Sequence, residues 1–539
     1  MIYILIFITA LFSSLALVPV LRRWALSTGT VDQPDERKIH NRAIPRLGGI
    51  AIFLSFLFSM LVFVDASKEI RGVMAGGLVV FVTGLIDDLY GLTPKRKFAG
   101  EIAGVLITIS VGHLYLQNLG NLFGFGPVVL PLWAAIPFTL FAVVGVVNAI
   151  NLIDGLDGLS GGVSVIALTA FFLLALVDGQ TEVLLLCAAL LGALTGFLKY
   201  NIYPARIFMG DAGSLSVGFL LGFLAVFLTQ GAGSKVSPMV PVVILGLPII
   251  DALWVMTRRV MKGLGPFSPD MTHVHHKFLN LGVQHRFTVI IIYGLSLFWA
   301  AIAVLARQWP EFLLLAVYAV ISSLFYGLLR YLINHRKRFA FFAHDSPHGL
   351  RETPHYKSLA VLADRVRFLL LLVLGFYLIL AVYVGVVDET VRWVELVYLV
   401  GFALVWVVRS LLSVFLLKSY YYLGGVVVAL GVDPLTDLRL TEGLQMTQIE
   451  LWLFALMLLL IGLKGLFRQQ GEFFVTLPEL MFLGFAVFAL VAFSQIPQLS
   501  HLADLPIRGG LLFLAINVVF FNYRTEIEPL SVQGERASA

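Results

Sequence analysis

The sequence predicts an all-α polytopic membrane protein, with about eleven transmembrane helices in an N-terminal core and about five in a C-terminal extension. Three observations carry this. Hydrophobic residues make up 59% of the 539 residues and charged residues only 13%, where a soluble domain holds roughly a quarter charged. Apolar runs of about 18 residues or more, each able to cross a hydrocarbon core, recur from end to end. Polar chemistry is confined to short stretches between them, so no soluble domain of useful size is left over.

The elements follow in order. The opening run MIYILIFITALFSSLALVPVL has neither a basic leader nor a small-residue cleavage site, and Arg22 and Arg23 follow it. This predicts an uncleaved first span near 1–21 with its C-terminal end in the cytoplasm. At about 20 residues per span, further helices fall near 46–64, 70–86, 98–116, 130–147, 160–177, 182–198, 212–229, 238–256, 288–306 and 312–333. Alternation then places five polar stretches on the cytoplasmic face: RRWALSTGTVDQPDERKIHNRAIPR, DDLYGLTPKRK, NLIDGLDGLSGG, KYNIYPARIFMGD and TRRVMKGLGPFSPDMTHVHHKFLNLGVQHR. Lys and Arg concentrate in these stretches, as the positive-inside rule requires. The opposite loops, such as VDASKEIRG and VDGQTE, are short and chemically plain.

This divides the chain into a membrane core over 1–338, a cytoplasmic linker over 339–366 and a second membrane domain over 367–539. Tail spans are expected near 367–387, 393–416, 449–466, 477–494 and 506–522, with the stretch between the second and third unassigned. The net charge of +5 belongs to loops beside apolar spans and meets anionic lipid, not nucleic acid. The single cysteine, Cys187, excludes an intrachain disulfide.

Several stretches hold chemistry. In GLIDDLYGL an apolar run ends on Asp87 and Asp88; neighbouring acids at a membrane surface repel each other and need an offsetting charge. In NAINLIDGLDGLSGG, Asn148, Asn151, Asp154 and Asp157 recur every third residue, which lines one narrow face if the segment is helical. Asp211 precedes an apolar span and is followed by small residues. It serves either as a helix cap or as a ligand for a cation carrying phosphate at a helix N-terminus. Phe208 is either an interfacial aromatic or a stacking surface for a base.

HVHHKF supplies His273, His275 and His276, too near hard acids and too far from cysteine for zinc, and better suited to phosphate recognition or proton transfer. Arg37, Lys38, His40, Arg42 and Arg46 read equally as positive-inside charges and as phosphate ligands. Many acids gathered on one face, without matching bases, call for a divalent cation bridging phosphates. The competing class is a transporter or channel, which expects its acids and histidines near the midplane.

DERKIHNRAIPRLGG, GLIDDLYGL, NAINLIDGLDGLSGG, RIFMGDAGSLSVGF, PIIDALWVMTRR and SPDMTHVHHKFLNLG, in this order over roughly residues 30–285, resemble the polyprenyl-phosphate N-acetylhexosamine-1-phosphate transferases. The H-x-HH form resembles their GlcNAc branch. The resemblance implies a UDP-N-acetylhexosamine donor, a polyprenyl phosphate acceptor, Mg²⁺ (or Mn²⁺), and a multi-pass protein of the bacterial inner membrane with its site facing the cytoplasm. It permits a homodimer. By motif position, Asp211 would be the principal metal ligand, with Asn151 or Asp154 beside it. Asp87 and Asp88 would be the essential pair, Asp88 being preferred for deprotonating the acceptor. Asn201 and Phe208 would lie against the uridine, Asp157 near the nucleotide or sugar, and the three histidines on the diphosphate or sugar. Asn148, Lys38 and Arg46 complete the expected substrate-binding set. The tail beyond about residue 340 departs from the family.

Overall fold

A computed structural model of the chain describes residues 2–32, 43–231, 233–263, 265 and 272–335; beyond these it describes only residues 366, 368–379, 439–441, 444–445, 453–457, 459–461, 511–512 and 515–516. The chain divides into two units, Met1–His344 and Asp345–Ala539.

In the first unit, α1 (Ile2–Thr28) leads into a short antiparallel ladder of β1 (Val31–Asp32) with β2 (Ile44–Pro45). Then come α2 (Gly48–Phe63), α3 (Lys68–Tyr90), α4 (Pro94–Gly112), α5 (Leu132–Ile153), α6 (Leu159–Asp178), α7 (Thr181–Asn201) and α8 (Gly210–Gln230). The unit closes with α9 (Met239–Ile244), α10 (Gly246–Met261), α11 (Val274–Asn280), α12 (His285–Leu305) and α13 (Glu311–Asn334).

Among the described residues, eight helices are long and apolar enough to cross a membrane: α1, α3, α5, α6, α7, α8, α12 and α13. The chain is thus a mostly helical, multi-pass membrane protein, and three of the eleven expected core spans take another form. The span near 46–64 is α2, whose 16 residues fall short of the roughly 20 a bilayer asks for. The span near 98–116 is α4, which starts earlier, at Pro94, and so carries Lys95, Arg96, Lys97 and Glu101 in its first two turns. The span near 238–256 is broken into α9 and α10 at Leu245. Pro248 has no N–H to donate to the carbonyl of Ile244, which ends the first helix there.

The burial gradient explains the arrangement. α8 sits in the middle, packed by α2, α3, α5 and α6, with 89% of its apolar window buried. α1 and α13 lie outside, with 22% and 28% buried, and expose large apolar side chains such as Phe12, Val20, Leu324 and Leu328, as lipid-facing helices do. Gly84 of α3 lets two backbones meet: a Cβ there would lie 2.6 Å from the Ala212 Cα. This contact brings the end of α3 against the start of α8.

The expected four-residue polar face on the α5 segment is shorter than its periodicity suggests. α5 stops at Ile153 and Asp154 is its C-cap, so only Asn148 and Asn151 stand on a helix, while Asp157 belongs to the turn before Gly158. In the second unit the described residues include an apolar helix over Phe368–Ile379. A hairpin of β3 (Arg439–Thr441) and β4 (Leu444–Gln445) falls in the stretch that periodicity left unassigned. The expected spans near 393–416 and 477–494 lie outside the described residues.

Candidate active site

Loops distant in sequence meet at one end of the bundle. The segment after β2 pairs with the entry to α8: the backbone N–H groups of Gly48 and Gly49 donate to the carbonyls of Phe208 (2.9 Å) and Met209 (2.8 Å), and Phe208 N–H donates to Pro45 (2.7 Å). Gly210 follows at φ +70°, and a Cβ there would lie 2.2 Å from the carbonyl oxygen of Arg46. A residue with a side chain is excluded on both counts.

The centre of the site is a cation shared by two carboxylates. Lys97 Nζ lies 3.0 Å from Asp87 Oδ2 and 2.5 Å from Asp211 Oδ1. Asn151 Nδ2 donates to the same Asp211 oxygen at 2.7 Å, and Asp87 Oδ1 accepts from the Leu92 N–H at 2.6 Å. The question raised by two adjacent acids is answered by their different directions on the helix, about 100° apart. Asp87 turns to Lys97. Asp88 turns to α8, where its Oδ1 and Oδ2 accept the N–H groups of Asp211 and Ala212, each at 2.8 Å. These are among the donors that every α-helix leaves unpaired at its start.

Asp88 therefore caps α8 from another helix, with Arg46 within electrostatic reach of it. Two N–H groups that would suit a phosphate are already taken by a side chain. Asp211 stands in the first turn of α8 but does not cap it. Its own carboxylate is turned to Lys97 and Asn151 and is 31% exposed, open to a ligand.

Asp154 completes the acidic group. Loss of solvent pushes its carboxyl up to about 7, helped by the negative charges of Asp211, Asp88 and Asp157. Nearby, Asp157 Oδ2 accepts from the Ala205 N–H at 2.9 Å, and its own N–H donates to His285 Nε2 at 3.1 Å. Asn201 is buried, its Oδ1 accepting from Gly158 N–H and its Nδ2 donating to the Ile207 carbonyl. Both side chains thus tie the loop after α5 to the loop after α7. Asn148 lies one turn deeper on α5 and donates to Glu101 Oε2 at 2.9 Å.

Two of the three histidines are buried. His273 is 4% and His275 1% exposed, the His275 and His276 rings are 4.2 Å apart, and His275 Nε2 packs on Gly155 beside Asp154. Burial holds the His275 imidazole down at about 3, so it is neutral at physiological pH. Phe208 is half-buried at the rim. Lys38, with Arg37, His40 and Arg42, lies outside the described residues.

Lys97 and Glu101 were not among the expected site residues. Lys97 reads in sequence as the last of a basic run, and only the helical phase of α4, which begins at Pro94, separates it from Lys95 and Arg96. As to a metal, among the described residues no group of three His, Cys, Asp or Glu side chains stands at ligating distances. The oxygen donors of Asp87, Asp211, Asn151 and Asp154 nevertheless fit a hard cation, because Mg²⁺ is commonly held by one or two carboxylates together with substrate phosphates and water.

The glycosyl transferase family 4 model matches residues 70–229, the segment that holds Asp87 through Asp211. A Bacillus subtilis (strain 168) protein named "Probable undecaprenyl-phosphate N-acetylglucosaminyl 1-phosphate transferase" is 34% identical over 307 residues, 56% of this chain and 84% of the relative. An undecaprenyl-phosphate alpha-N-acetylglucosaminyl 1-phosphate transferase of Yersinia pestis is 34% identical over 61% of this chain and 89% of its own. The protein of that name in Escherichia coli (strain K12) is 32% identical over 57% and 85%. Among the described residues, Asp87 and Asp88 stand at the end of α3, Asp154 just after α5 and Asp211 at the start of α8, where the transporter reading expected mid-span acids. With these relatives covered over most of their length, the chain is an enzyme that belongs to glycosyl transferase family 4.

Proposed function

We propose that this enzyme transfers an N-acetylhexosamine 1-phosphate, specifically GlcNAc 1-phosphate, from a UDP-sugar to polyprenyl (undecaprenyl) phosphate. The products are a polyprenyl-diphospho-sugar and UMP, the first membrane step of a cell-envelope polysaccharide. The observation that carries this reading is the Asp87–Lys97–Asp211 arrangement with Asn151, at the mouth of a membrane bundle: acids and an ammonium balanced around one point suit a reaction between two phosphates. The names of the relatives support the acceptor phosphate and the transferred GlcNAc 1-phosphate. An inner-membrane site facing the cytoplasm is the orientation that the concentration of Lys and Arg in the site loops supports.

An oxygen of the lipid phosphate attacks the β-phosphorus of the UDP-sugar, the bond from that phosphorus to the bridging oxygen breaks, and UMP carries the bridging oxygen away. Lys97 shifts from its carboxylates to the phosphoryl oxygens and holds charge that builds there. Asp87, rather than Asp88, takes the proton of the acceptor phosphate, because its Oδ2 is released when Lys97 moves to the phosphate, whereas both Asp88 oxygens stay engaged by the backbone N–H groups that open α8. Asp88 instead holds α8 in register, and with it Asp211. Asp211, Asn151 and Asp154 would hold Mg²⁺, which when bound neutralises charge on the diphosphate.

The test is a donor screen with purified protein, undecaprenyl phosphate, Mg²⁺ and a panel of UDP-amino sugars. GlcNAc 1-phosphate transfer is expected; transfer from no donor removes the reading. Exchange of labelled UMP into UDP-sugar without acceptor would replace the direct attack by a covalent aspartyl-phosphate route.

A further inference from the structure

Asp251 stands on α10, apart from the carboxylate group, and the transfer chemistry makes no use of it. It is 2% exposed, yet its carboxylate gathers three donors from three directions. His273 Nδ1 lies 2.8 Å from Oδ2, while Oδ1 accepts the Val274 N–H at 2.9 Å and the Tyr326 hydroxyl at 2.9 Å. A buried carboxylate needs such partners. Cohesion of α10, α11 and α13 alone would be served as well by apolar side chains, so the carboxylate acts on what it holds.

What it holds is an imidazole in one orientation. The Asp251 oxygens already accept from the Val274 N–H and the Tyr326 hydroxyl, and a carboxylate in that accepting role assigns the proton of the pair to Nδ1 of His273. Nε2 is then the ring nitrogen left for a ligand, and in the neutral ring it bears a lone pair. That lone pair meets a hydroxyl or an amide N–H favourably and a phosphate oxygen unfavourably. The ring lies parallel to that of His275, with centroids 5.9 Å apart, and His275 packs on Gly155 at the acidic loop. His273 thus lies one ring away from the acidic loop.

We infer that Asp251 is a positioning residue: it locks His273 in the Nδ1–H tautomer so that Nε2 accepts a hydrogen bond from a hydroxyl or the acetamido N–H of the donor sugar. Phosphate recognition stays with Lys97, and sugar recognition falls to the Asp251–His273 pair. This rests on the UDP-sugar reading above.

The test uses the full chain labelled with ¹⁵N-histidine, the His273 resonances being assigned by difference with His273→Asn. In the wild type, a protonated Nδ1 and an unprotonated Nε2 are expected, with Nε2 shifting on addition of UDP-GlcNAc but not of UDP. Asp251→Asn is close to isosteric, and its amide donates to Nδ1, forcing the proton to Nε2. Its KM for UDP-GlcNAc should rise about 10-fold, the loss of one hydrogen bond to the sugar, with kcat within about threefold. A wild-type His273 protonated on Nε2, alone or together with Nδ1, overturns the inference, and so does an Asp251→Asn enzyme with unchanged KM. If that variant does not fold, the wild-type spectra decide. Failure of the wild type to use any UDP-sugar would instead remove the transferase reading, a separate outcome.

Discussion

Replacing Asp88 separates a helix cap from a catalytic base. Asp88→Ala strands the N–H groups of Asp211 and Ala212, each bonded now at 2.8 Å. Hydrogen bonds to a charged group contribute roughly 1.5–3 kcal/mol apiece, and α8, buried over 89% of its apolar window, cannot fray to let water replace them. An ordinary helix cap costs only about 1 kcal/mol, which puts both bonds near the low end of that range, so Asp88→Ala should lose about 3–4 kcal/mol. Asp88→Asn keeps one acceptor and sets an amide N–H against the second donor, a loss of about 2 kcal/mol. The assay is built into the chain, because Cys187 is its single cysteine and is buried in α7. A thiol-reactive dye therefore reports unfolding in detergent as temperature rises. The expected order of melting temperature is wild type, then Asp88→Asn, then Asp88→Ala, with Asp88→Asn retaining measurable turnover. Wild-type melting of Asp88→Ala together with complete loss of turnover would refute the capping argument and return the base to Asp88.

Three other outcomes follow. Lys97→Met removes the charge between Asp87 and Asp211; with these groups 12–31% exposed, solvent limits the stability loss to about 1–2 kcal/mol, whereas turnover should fall about 100-fold or more, read as thiol-dye melting beside initial rates. Gly84→Ala drives a Cβ to within 2.6 Å of the α8 backbone and should cost about 1–3 kcal/mol or more by overpacking. Equal melting temperatures would show that α3 and α8 can part freely. His275 is held neutral, its pKa lowered from 6.5 to about 3 by burial first and by neighbouring imidazoles. A depressed folded pKa contributes stability above 6.5 that is lost as pH falls through 3, so acid should lower the melting temperature less in His275→Phe than in the wild type.

The linear pattern already contained a good deal. Apolar runs separated by five polar loops placed most helices and both acid-bearing ends, because in lipid every spanning segment must satisfy its backbone internally and only long apolar helices do so. The motifs around Asp87, Asp154, Asp211 and His273 marked the loops that converge. What periodicity alone missed were local interruptions. Pro248 splits one expected span, Asp154 ends α5 before the third-residue pattern is complete, and Pro94 starts α4 early enough to place Lys97 inside the site.

Residue identity along the chain determined which chemistry is present: hard oxygen donors, one face, a membrane setting. Partner choice belonged to the tertiary structure alone. Asp87 and Asp88 are neighbours with the same side chain, and nothing in their order tells which one meets Lys97 and which one caps α8. That division follows from the angle between consecutive residues on α3 and from the glycine contact that seats α8 beside it. The same holds for Asp251, whose partners His273 and Tyr326 stand 22 and 75 residues away. A hydrogen bond is decided by distance and direction in space, and these exist only once the helices have packed.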